Sequence, residues 1–201
     1  STVYQEVNLC PNLSVAENLY IGREPLTKLG TVNRKAMNRQ AAALMKQLEL
    51  DVDVTRNLEE YSLALQQMIA IARAVDMDCK VLILDEPTAG LDPSGRDEIL
   101  FKIRDMHKRM NLTVVLVSHS MEDVAKLADR ILVMNGGKIE MFDCPEKVFA
   151  QSGRLTEIGL SVPQITKVTD RLRKAGVPVP EGIYTTGDAY RVLLPLLSQK
   201  N

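Results

Sequence analysis

Two hundred and one residues suffice for one large domain, or for one domain with an appendage. A net charge of −1, with 25% charged and 45% apolar residues, is ordinary for a globular chain and offers no basic face for nucleic acid. No apolar run approaches the roughly 18 residues of a membrane span. The opening STVYQEVNLC has neither the charged start nor the apolar stretch of a signal peptide, so a cytosolic protein is expected.

Cys10, Cys79 and Cys144 are odd in number, far apart and without CxxC spacing, which points to plain reduced thiols. With no Trp and three Phe, the core must be aliphatic, and the nine Met read as gap-fillers within it.

TVYQEV reads as the end of a strand entering a loop. Ser14, with Glu17 three residues on, forms a capping box that opens a short helix. Asn33 caps the next helix, whose apolar stripe is Met37, Ala41, Leu44, Met45 and Leu48. DVDVTRNLEEY is a polar connector. A helix then starts near Ser62 and runs LALQQMIAIARAV, apolar nearly all round and hence buried.

At Val81 the character changes. VLILD and TVVLVS read as buried strands, and RILVMNGGKIEMFD as two strands about a Gly136-Gly137 turn. Asp92 caps and Pro93 opens a helix reaching about Met110; Ser120 caps another, with Asp123 in the capping-box position. Strand–helix–strand–helix–strand predicts a parallel sheet with helices on both faces. From Cys144 the chain turns helical again. VPQITKVTDRLRKAG is an amphipathic helix stopping at Gly176, and DAYRVLLPLL is a final helix kinked or stopped by Pro195. His107 and the cluster KIRDMHKR read as a solvated face.

In parallel sheets ligands gather at the carboxyl ends of strands, and two such ends carry chemistry here: Asp85-Glu86 and Ser118-His119. Strand alternation would put the Asp85 and Glu86 side chains on opposite sides, one toward a metal and one toward substrate. Ser62 opens a helix whose free amides and dipole favour an anion.

The run LILDEPTAGLD, with a histidine downstream, resembles the ATP-binding cassette (ABC) ATPases, the motors of ABC transporters. The resemblance implies a P-loop-NTPase-like α/β fold: a parallel sheet with helices on both faces, an inserted helical subdomain and a C-terminal helical extension. It implies Asp85 near Mg²⁺ (Walker B), Glu86 as catalytic base, His119 as the switch histidine and Gln5 as the Q-loop glutamine by the metal and nucleotide. It implies Asp92 in the D-loop and Ser62 in a signature, YSLALQQ, that departs from LSGGQ. Leu63 and Ala64 stand where glycines let backbone approach phosphate, so close approach at Leu63 is not expected. The implied segments are 1–10, a remnant of the core with the Q-loop; 11–78, the helical subdomain; 79–150, the core with Walker B, D-loop and switch; and 151–201, the extension. ATP and Mg²⁺, a second ATPase subunit and transmembrane transporter subunits are the implied cofactors and partners. The implied location is the cytoplasmic face of the membrane.

LSVAENLYIGREP and YSLALQQMIAIARAV are similar to monosaccharide-importer ATPases, whereas PTAGLDPSGRDEI, SHSMEDVAKLADRILVM and EIGLSVPQITKV are similar to energy-coupling-factor ATPases. A chimera, natural or built, joined near residues 80–90 is therefore expected. A P-loop, GxxxxGK[ST] between strand and helix, is not found: NGGKIE has Gly-Lys, but Ile139 follows and Leu132 stands where the first Gly belongs. In the family that motif precedes the position of Gln5. Without it the chain alone is not expected to hydrolyse ATP. The alternatives are a non-catalytic or engineered fold module, or a portion of a longer ABC ATPase.

Overall fold

The computed structural model describes residues 2–3 and 9–198. They form two compact units, Ser1–Val117 and Ser118–Asn201, divided inside the expected 79–150 segment.

In the first unit a three-stranded parallel sheet runs in the order β1 (Thr2–Val3), β2 (Val81–Asp85), β3 (Thr113–Val117), with β2 central. Val81 pairs with Thr113 and Asp85 with Val117, while Ile83 and Leu84 pair with Thr2 and Val3. Between β1 and β2 come α1 (Val15–Tyr20), α2 (Arg34–Gln47), a 3₁₀ turn at Leu58–Glu60 and α3 (Leu63–Val75). The crossover from β2 to β3 is α4 (Pro93–Met110).

Each helix starts where its cap demands. The Ser14 hydroxyl accepts from Glu17 N–H at 3.2 Å, and the Glu17 carboxylate accepts from Ser14 N–H at 2.9 Å, completing the expected box. Asn33, Ser62 and Asp92 cap α2, α3 and α4 in the same way, by accepting an amide of the first turn. The predicted α2 stripe is buried in full. Helix α1 packs on α2 and α3, and α3 on α4 and beside β1. Leu19, Leu58, Ile69, Leu84 and Ile99 are wholly buried. Each such side chain stabilises the fold by about 1.5–3 kcal/mol, and together they fix α3 and α4 in the core.

Two expectations for this unit are corrected. The connector DVDVTRNLEEY is not polar throughout: Val54 and Leu58 are buried, and its backbone bonds to the stretch before α1. Nor is KIRDMHKR merely solvated. Lys102 Nζ donates to Glu49 O at 2.8 Å, and Arg109 donates to Glu49 Oε1 at 2.7 Å and Gln47 O at 2.9 Å. His107 Nδ1 lies 2.6 Å from Leu112 O. These long side chains tie the end of α2 to α4, because the last carbonyls of a helix lack intrahelical donors.

The second unit holds α5 (Met121–Leu127), the antiparallel hairpin β4 (Ile131–Asn135) and β5 (Lys138–Asp143), then α6 (Pro145–Ala150), α7 (Ser152–Glu157), α8 (Gln164–Lys174) and α9 (Thr186–Ser198). The expected third parallel strand is thus found in a separate sheet: Ile131 pairs with Asp143, not with β3. Val133, Val148, Phe149, Leu155 and Val162 make one small core, with Tyr184 against Phe149 at 5.7 Å between rings. Val179, Ile183 and Ala189 make another. Gly176, at φ 86°, follows the end of α8 as expected. Pro195 does not stop the last helix, which continues to Ser198. Among the described residues, no helix is long and apolar enough to cross a membrane.

Candidate functional site

Strand β2 reads VLILD because its two faces differ. Leu82 and Leu84 are buried on one, while Val81 is exposed and Ile83 and Asp85 are half-buried on the other. Asp85 is therefore delivered at the carboxyl end of the central strand, on its more open side. Glu86 does not continue the alternation. Its φ is +45°, left-handed backbone that a residue with a β-carbon adopts only when its surroundings enforce it. Two bonds do so: Glu86 N–H donates to Val117 O at 2.9 Å, and Glu86 O accepts from Ala89 N–H at 3.0 Å. The Glu86 side chain is aimed by a turn, not by strand pleating.

The turn continues through Gly90, φ +74°, to Asp92, whose carboxylate accepts from Gly95 N–H at 3.1 Å. Here two helix starts converge. A β-carbon on Gly95 would lie 3.2 Å from Ala64 Cβ, and one on Gly90 would lie 3.5 Å from Leu63 Cδ2. The exposed Ser62, at the head of α3, and the exposed Asp92, at the head of α4, thus belong to one surface. Leu63 is 44% exposed with its side chain at Gly90.

Ser118 and His119 follow β3 and open the second unit. The Ser118 hydroxyl accepts from Ser120 N–H at 3.1 Å, Ser120 caps α5, and His119 between them is exposed. Gln5 lies outside the described residues. The structure brings Asp85, Glu86, Ser62 and Asp92 into one unit and puts His119 in the other.

Sequence reasoning passed over Gly95, whose missing side chain lets the two helix starts meet, and Asn18. The signal for Asn18 was a polar residue among the apolar Val15, Ala16, Leu19 and Tyr20; it is 1% exposed.

Asp85 suits Mg²⁺, which takes one or two carboxylates and completes its shell with water and phosphate oxygens. Among the described residues, no group of three or more His, Cys, Asp or Glu could cage a metal without such help. The 201 residues contain no GxxxxGK[ST] run. A cavity of about 120 Å³, lined by Gln47, Leu48, Asp105, Met106, Arg109 and Met110, lies at the far end of α4 from Asp92. At 1.5 Å per residue that helix is about 27 Å long, so the cavity has no part in the Asp85 site.

Residues 1–89 match the ABC transporter family. The energy-coupling factor transporter ATP-binding protein EcfA2 of Caldanaerobacter subterraneus is 51% identical over 132 residues, 66% of this chain and 46% of that protein. The galactofuranose transporter ATP-binding protein YtfR of Escherichia coli K12 is 46% identical over 136 residues, 68% of this chain and 27% of that protein. The chain thus spans about half or less of the length of these relatives. In structure it resembles cbiO1 of Clostridium perfringens, part of the ABC transporter complex cbiONQ. That match has a TM-score of 0.64 and 26% identity, over 88% of this chain and 65% of the other. Residues 1–89 thus carry ABC transporter family sequence, and the parallel sheet ending in Asp85 belongs to a fold like that of ABC ATPase domains.

Proposed function

We propose that the chain supplies the metal, base and signature parts of an importer ATPase that hydrolyses ATP to move a small solute. Asp85 sits by Mg²⁺ as the Walker B carboxylate, and Glu86 takes a proton from the attacking water. His119 contacts the γ-phosphate, Gln5 sits by the metal and couples nucleotide state to the membrane partner, and Ser62 and Asp92 serve a nucleotide held by a second ATPase subunit. The observation that carries the reading is the shared surface of Ser62 and Asp92, fixed where Gly95 comes so near Ala64 that a β-carbon added to it would lie 3.2 Å from Ala64 Cβ. A helix start capped by Ser62 presents free amides to an anion.

Phosphoryl transfer is almost entirely positioning and charge stabilisation. These 201 residues contain no GxxxxGK[ST], so by themselves they hold no phosphate before Asp85 and Glu86. The phosphate cradle must come from additional sequence or from a partner. The test is association with an ABC ATPase subunit carrying an intact P-loop, with and without ATP. Binding that appears only with ATP and is lost on Ser62→Arg supports the reading; no nucleotide-dependent association contradicts it. Through such a subunit and transmembrane transporter subunits the chain would sit at the cytoplasmic face of the membrane.

A second reading concerns origin. The likeness of LSVAENLYIGREP to monosaccharide-importer ATPases and of EIGLSVPQITKV to energy-coupling-factor ATPases supports a chimera joined near residues 80–90. Genomic relatives that carry the whole chain as one unbroken lineage would refute it.

A further inference from the structure

Two stretches far apart in sequence are laced together by backbone. Ser14 and Asn57 face each other as an antiparallel bridge. Around it Val15 N–H donates to Arg56 O at 3.0 Å and Ala16 N–H to Val54 O at 2.9 Å. In the other direction Leu58 N–H donates to Leu13 O at 2.9 Å and Glu59 N–H to Pro11 O at 3.0 Å. This short ribbon joins the chain ahead of α1 to the chain that leads into Ser62.

Asn18 organises its near side. The side chain is buried, and a buried amide must find partners. Its Oδ1 accepts from Cys10 N–H at 2.7 Å. Its Nδ2 lies 2.9 Å from Cys10 O, 3.2 Å from Leu13 O and 3.0 Å from Ser14 O, so two N–H groups are shared among three carbonyls. Leu13 O therefore accepts from both Asn18 and Leu58, using its two lone pairs. On the far side Tyr61 N–H donates to Leu58 O at 3.1 Å, and the Gln66 side-chain amide donates to Tyr61 O at 2.9 Å. Ser62 caps the same turn by accepting from Leu65 N–H at 3.3 Å.

We infer that Asn18 is a positioning residue that makes residues 10–16 and 54–62 move as one piece, so that displacement at Cys10 is delivered to the Ser62 end of α3. Its bearing on nucleotide chemistry rests on the Ser62 assignment proposed above; the mechanical link does not. A side chain that merely filled the core would loosen its own surroundings or the whole unit. A positioning residue loosens a distant helix start and leaves the sheet alone.

Amide hydrogen exchange of the 201-residue chain separates these cases without ATP. Two perturbations are applied: Asn18→Ala, and alkylation of Cys10 by N-ethylmaleimide in a Cys79→Ser, Cys144→Ser background. The second retains Asn18 and serves should the first not fold. The expected result is exchange faster by about tenfold or more at Leu58, Glu59, Leu65 and Gln66, with Leu82, Leu84 and Leu116 unchanged. Faster exchange confined to residues 10–16, or an equal rise across the sheet, overturns the inference. Failure of the ATP-dependent association assay would instead overturn the reading of Ser62 and leave this link intact.

Discussion

Gly95 and Ala64 meet so closely that a single added methyl would bring carbon to 3.2 Å from carbon, and the same methyl would stand 2.8 Å from Asp92 Oδ1. The heads of α3 and α4 are therefore set by the absence of a side chain. Gly95→Ala should displace the Asp92 carboxylate from Gly95 N–H. A lost cap costs about 1 kcal/mol, crowding against Ala64 about 1 more, and the better helix propensity of Ala returns about half of that total. Net destabilisation of about 1 kcal/mol is expected in urea unfolding. Ala64→Gly introduced together with Gly95→Ala should remove the crowding share, a non-additivity that a double-mutant cycle reads directly.

Glu86 carries backbone strain as well as chemistry. Left-handed backbone costs a residue with a β-carbon about 1–2 kcal/mol, and glycine nothing. Glu86→Gly should therefore unfold at higher urea than Glu86→Ala, by about 0.5–1 kcal/mol after glycine's extra chain entropy is deducted. Both variants lose the same carboxylate, so their difference isolates φ. Equal midpoints would mean that the turn relaxes once the side chain is gone.

The capping box of α1 makes stability depend on acid. Hydrogen bonds from the Ser14 hydroxyl and backbone, opposed by burial and helped by Arg34, hold the Glu17 carboxyl below its ordinary 4.5. A folded-state value lower than the unfolded one adds stability above pH 4.5 that is lost as pH falls through the folded value. Glu17→Gln keeps a side chain able to serve the box and removes the titration. Urea midpoints at about pH 6 and about pH 3 should therefore fall less for the variant than for the unaltered chain. Asp53, Glu60, Glu140 and Asp143 are also held low, but both proteins share them. Parallel pH curves would show that Glu17 does not contribute.

Much of this architecture was legible because caps and periodicity are local. Ser14, Asn33, Ser62, Asp92 and Ser120 announce their helices within one turn, and VLILD announces a strand that ends on a carboxylate. What stayed hidden was non-local. Nothing in RILVMN says whether it pairs with β3 or with KIEMFD, because an apolar strand fits either. The φ of Glu86 follows from a bond to Val117, thirty-one positions on, and not from its neighbours. Lys102 and Arg109 look like solvent-facing charges until Gln47 and Glu49 are found beside them.

The contact between α4 and the end of α2 is held largely by exposed charge, and its worth should be small and salt-dependent. Arg109 bonds to Glu49 and Asp105 at 2.7 and 3.0 Å, but its side chain is 43% exposed. Arg109→Ala should lower the unfolding midpoint only slightly, and less again in high salt, because water and ions screen the pairs. A larger, salt-independent loss in thermal unfolding would assign the effect to packing of the arginine stem instead.

The decisive measurement is ATP hydrolysis by the 201-residue chain in the presence of Mg²⁺, set against Glu86→Gln. Phosphate release no greater than that of the variant is expected, because the 201 residues contain no GxxxxGK[ST] run to supply a cradle. Hydrolysis clearly above background and abolished by Glu86→Gln would contradict that expectation.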